Sequence, residues 1–84
     1  LLSKAEYWLK SHPQSPGLLF ALGLICENQQ LWGKAQRYYE ASLSLEQRPQ
    51  NYARLGTLLE KMDKPEQGAL IFKKGLLLAT SWQQ

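Results

Sequence analysis

The sequence predicts an all-α protein of about five helices arranged as antiparallel pairs. One observation is a repeat. The stretch PGLLFALGLICENQQLWGKAQRYY, residues 16–39, returns thirty-three residues later as PQNYARLGTLLEKMDKPEQGALIF, residues 49–72. In that register Pro16 matches Pro49, Leu22-Gly23 matches Leu55-Gly56, Glu27 matches Glu60, Ala35 matches Gly68, Tyr39 matches Phe72, Leu43 matches Leu76 and Leu45 matches Leu78. The second observation is periodicity: apolar residues recur three and four apart, with no strand-like alternation. The third is punctuation, with proline at the openings and polar turns between the segments.

Residues 1–11 read as a helix, with Leu1, Leu2, Ala5, Trp8 and Leu9 on one face and Lys4, Glu6 and Lys10 off it. His12-Pro13 ends it, because a residue before proline avoids the helical region. Ser15 is placed to cap the next helix, and Pro16 suits its first position. That helix is expected to run to about Glu27 or Asn28, with Leu19, Leu22, Gly23 and Cys26 inward. Gly23 costs about 1 kcal/mol of helix propensity, which points to a neighbour too close for a side chain.

Asn28-Gln29-Gln30 makes the turn, and a third helix is expected from about Leu31 to Leu45. Trp32, Ala35, Tyr39, Ser42 and Leu43 form its inner face, while Tyr38 points elsewhere and is expected at the surface. Glu46-Gln47-Arg48 is a loop. A fourth helix runs from Pro49 to about Met62, with Tyr52, Leu55, Gly56 and Leu59 inward. Asp63-Lys64-Pro65-Glu66 resembles a capping box, with Asp63 at the cap. The last helix carries Gly68, Phe72, Gly75 and Leu76 inward and ends near Thr80-Ser81, with Trp82 in a polar tail.

Eighty-four residues suit one domain. The net charge is +3 and the basic residues are scattered, which argues against a nucleic-acid surface or an anionic-membrane patch. Cys26 is the one cysteine, so no internal disulfide forms; it falls on the buried stripe as a small core hydrophobe. No apolar stretch approaches the roughly 20 residues of a bilayer span, so the segment itself is expected to be soluble and without membrane contact. It starts with Leu1 in what reads as mid-helix, which is the expectation for a piece of a longer protein.

A helix–turn–helix period near 34 residues, with Leu-Gly early and small-xxx-aromatic late, resembles the tetratricopeptide (TPR) repeat. The first full repeat, 16–47, offers Leu19, Leu22, Gly23, Cys26, Ala35, Tyr39 and Ser42. The second, 49–81, offers Tyr52, Leu55, Gly56, Leu59, Gly68, Phe72 and Gly75. Residues 1–13 then stand as the second helix of an incomplete repeat, and 1–84 as one domain. The departures are Leu19 for Trp, Cys26 and Leu59 for Tyr, and Gln47 for the second proline. The resemblance implies a right-handed superhelix of antiparallel helix pairs.

A narrower similarity rests on WLKSHPQSPGLLFALG, LWGKAQRYYEASLSL and YARLGTLLEKM, with Leu31-Trp32-Gly33-Lys34-Ala35 the most distinctive part. These stretches resemble the C-terminal TPR region of HemY-type proteins, which are bacterial inner-membrane proteins associated with haem biosynthesis. That resemblance implies a membrane-anchored parent near porphyrin handling, with this region as an interaction scaffold.

No catalytic constellation emerges, so the chain is not expected to be an enzyme. Its single His and single Cys have no acid placed to orient them. Glu27, Glu40, Glu60 and Glu66 lie near basic residues and read as solvated pairs. His12, Cys26 and Met62 are each solitary as axial ligands, so no cofactor is expected, although a haem or porphyrin carrier is the alternative function. A further alternative is self-association through exposed repeat ends, giving a homodimer. The favoured function is binding of a protein or peptide. In a TPR stack the first helices line the concave face, which here would carry Phe20, Leu24, Glu27, Asn28, Ala53, Thr57, Glu60 and Lys61. Phe20 and Leu24 form the apolar patch, with Asn28 and Lys61 for polar contacts. The Lys and Asn carboxylate clamp of some co-chaperone TPR domains has no counterpart, since Phe20, Leu24, Ala53 and Thr57 occupy those places.

Overall fold

A computed structural model describes residues 2–11 and 15–82. Among these the chain is all helical: α1 (Leu2–Ser11), α2 (Pro16–Asn28), α3 (Trp32–Leu45), α4 (Pro49–Lys61) and α5 (Pro65–Trp82). No strand occurs among the described residues. His12 and Pro13, expected to end α1, lie outside them. No helix among the described residues is long and apolar enough to cross a membrane. The chain forms two compact units, residues 1–46 and 47–84.

In the first unit α2 opens on Ser15, whose side chain accepts from the Leu18 amide at 3.2 Å. Pro16 follows at the start of the helix, where its missing N–H costs nothing. The helix stops at a left-handed residue, Gln30, with φ of 63°. The Gln30 amide donates to the Glu27 carbonyl at 3.0 Å, and the Leu31 amide donates to Cys26 at 2.8 Å. This crossed pair is a Schellman motif, in which main-chain donors satisfy carbonyls that the helix end leaves open. α3 then returns along α2. The core holds Leu19, Leu22 and Cys26 from α2 and Ala35, Tyr39 and Leu43 from α3. Gly23 lies against the Tyr39 ring, so close that an added Cβ would overlap Cδ1 and Cε1. Buried Ser42 ties the same crossing by donating to the Pro16 carbonyl at 2.7 Å.

The second unit repeats the plan. α4 ends on Asp63, with φ of 61°. The Asp63 amide donates to Glu60 at 3.1 Å and the Lys64 amide to Leu59 at 2.9 Å. Asp63 is therefore the left-handed residue that closes α4, and not the cap of α5. The capping-box expectation fails because the Gly68 amide is already bonded to the Lys64 carbonyl, which places the start of α5 after Lys64. Leu55, Leu58 and Leu59 are the buried hydrophobic residues of α4. Gly56 lies against Phe72, as Gly23 lies against Tyr39. Gly68 meets backbone instead of a ring: a Cβ there would lie 2.9 Å from the Gly56 carbonyl oxygen.

Three packing expectations are corrected. Trp8, placed inward from its spacing, is 53% exposed. Leu76, the register-mate of buried Leu43, is 68% exposed. Tyr38, expected at the surface, is half-buried because its hydroxyl reaches α1.

Candidate protein-binding surfaces

The eight residues expected to meet a partner lie on α2 and α4, the first helices of the two hairpins. On α2, Phe20 and Leu24 are half-buried and Asn28 is exposed. The Phe20 ring leans on Tyr39, with centroids 5.5 Å apart and planes tilted by 40°. One side of Phe20 is thus committed to the core and the rest remains accessible.

Glu27 is the correction on this helix. It is 5% exposed, and the Tyr39 hydroxyl donates to its Oε1 at 2.7 Å. A buried carboxylate needs such a donor, because leaving it bare in an apolar setting is costly. Glu27 is therefore an internal anchor for Tyr39 and not a solvated side chain. The second hairpin shows why. Phe72 stands where Tyr39 stands and has no hydroxyl, and the matching Glu60 is exposed. No buried side-chain polar atom is left without a partner among the described residues.

On α4, Ala53, Thr57, Glu60 and Lys61 are all exposed. The Thr57 hydroxyl donates back to the Ala53 carbonyl at 3.0 Å. This face is small and polar, whereas that of α2 is apolar, so the two helices offer different chemistry.

A polar cluster between α1 and α3 has no signature in the local residue pattern. Lys34 and Tyr38 both reach the same oxygen, Glu6 Oε2, at 2.8 and 2.9 Å. Hydrogen bonds from Lys34 and then Tyr38 hold the Glu6 carboxyl below its ordinary range, and the bond to Glu6 raises Lys34 in turn. Burial, followed by the bond to Glu6, pushes Tyr38 up to about 12. The cluster borders an open groove of about 470 Å³ lined by Ser3, Glu6, Tyr7, Leu9, Lys10 and Tyr38. Lys34 and Tyr38 share a face of α3, but Glu6 lies 28 and 32 residues before them on another helix, so helical spacing could not connect it to them.

Cys26 is fully buried, and burial raises its thiol pKa, which keeps it protonated. No group of three or more His, Cys, Asp or Glu is placed to hold a metal among the described residues.

No protein-family model matches the chain, and a search of curated proteins finds no match.

Proposed function

We propose that the chain is a TPR-like module that binds a protein or peptide along the outer faces of α2 and α4. The observation that carries this is the state of α2. Leu19, Leu22 and Cys26 are buried, yet Phe20 and Leu24 on the same helix keep accessible apolar surface. Apolar side chains positioned by a rigid hairpin are typical anchors for a bound segment. Supporting the TPR reading are the recurring closures at Gln30 and Asp63 and the recurring glycine-to-ring contacts at Gly23 and Gly56. In this reading successive hairpins stack into a right-handed superhelix. The resemblance to HemY-type regions supplies the setting, a bacterial inner-membrane parent near porphyrin handling.

Photo-crosslinkers at Thr57 and Leu24 in the full-length parent test the proposal, with Arg37 on α3 as the control position. Capture of the same partner from Thr57 and Leu24, and its loss on Leu24→Glu, is the expected result. Equal capture from Arg37 would refute it.

A further inference from the structure

The outer face of α5 carries a feature that its counterpart lacks. Leu70 and Leu77 are 62% and 61% exposed, seven residues apart and so on one line along the helix. Lys73 and Lys74 are also exposed and fall three and four residues after Leu70. Helical geometry puts one lysine on each side of the leucine row. The face lies opposite Gly68 and Gly75, both buried against α4. Past Glu66 in its first turn, α5 has no acidic residue.

The repeat provides an internal control. Thirty-three residues earlier, α3 has Arg37, Glu40, Ala41 and Ser44 at these four positions. There the face is polar and of mixed charge. The leucines at 70 and 77 are thus peculiar to the second hairpin and are not required by the hairpin plan. Leu76 differs, since its counterpart Leu43 is buried.

We propose that Leu70, Lys73, Lys74 and Leu77 form a docking strip for an amphipathic helix of a partner, one with a narrow apolar seam bordered by Asp or Glu. The strip is one residue wide between two ammonium groups, which suits a facing helix with acidic flanks. A membrane-surface helix has instead a broad apolar face. A second copy meeting through the same strip would set lysines against lysines, which costs energy. This strip is separate from the faces of α2 and α4 considered above.

The test uses the full chain and two synthetic helical peptides with leucines seven residues apart, bordered by Glu in one and by Lys in the other. Isothermal titration should show saturable binding of the Glu peptide, weakened by salt, and at least about tenfold weaker binding of the Lys peptide. Lys73→Glu/Lys74→Glu should reverse that preference, and Leu70→Ser/Leu77→Ser should weaken the Glu peptide by about tenfold or more. All four side chains are exposed, and unchanged circular dichroism checks the fold. Failure to bind the Glu peptide, or equal binding of both, overturns the proposal. So does co-sedimentation with phosphatidylserine vesicles, or dimerisation, that is lost on Leu70→Ser/Leu77→Ser while the peptides remain unbound.

Discussion

Gly23→Ala tests whether close approach at the α2–α3 crossing sets the first hairpin. In an exposed helix the change would add up to about 1 kcal/mol of stability, since alanine is the better helix former. Here the new Cβ would lie within 3.0 Å of Tyr39 Cδ1 and Cε1, and 3.1 Å from Cζ. Carbon atoms touch at about 3.5 Å, so the ring or the helix must yield by half an ångström or more. The ring has little room. It is fully buried, bonded to Glu27 at 2.7 Å, and leans on Phe20. Overpacking costs about 1–3 kcal/mol, and a ring this confined puts the cost in the upper part of that range, about 2–3 kcal/mol, which outweighs the propensity gain. The expected net loss is about 1–2 kcal/mol, or roughly 5–15 °C in Tm at this chain length. Thermal melts followed by circular dichroism read it. Gly17→Ala is the control, because a Cβ there meets nothing within 4 Å, and its Tm should hold or rise slightly. Gly23→Ala added to Tyr39→Leu should cost less than it does alone, since the obstructing ring is gone. A Gly23→Ala protein as stable as Gly17→Ala would refute the reasoning.

Gln30→Gly and Asp63→Gly should each stabilise the chain by about 1 kcal/mol, because both sites hold a left-handed backbone that penalises a side chain; chemical denaturation measures this. Tyr39→Phe should destabilise by about 1–3 kcal/mol by removing a donor from buried Glu27, and Glu27→Leu in the same background should recover part of the loss. Tyr38 should ionise near pH 12 by ultraviolet titration. Its folded pKa lies above its unfolded value, so the stability it contributes is complete below about pH 10 and is lost as pH rises toward 12. Glu6→Gln should lower that pKa only in part, because burial is the larger cause.

Helix order and most inner faces were legible in the residues because each depends on local spacing. Proline and Ser15 marked helix starts, and the paired glycines marked the crossings. Tertiary reach decided what remained hidden. Glu27 looks like any surface acid until Tyr39, twelve residues on, is seen to donate to it. Tyr38 was drawn inward by Glu6 on a helix whose packing could not be read from its own pattern. Trp8 and Leu76 met the helical periodicity of an inner face, but periodicity does not say whether a neighbour covers that face. Asp suits both a cap and a left-handed turn, so the residue type at 63 does not choose between them; the amide bonding of Lys64 does.

The corners at Gln30 and Asp63 are closed by main-chain atoms alone. Their chemistry is therefore open to substitution, but their count is not. One residue added or removed between Cys26 and Ala35 would turn α3 by about 100° about its axis and carry Tyr39 off Gly23. The hairpin tolerates new letters at its bend and rejects any change in their number.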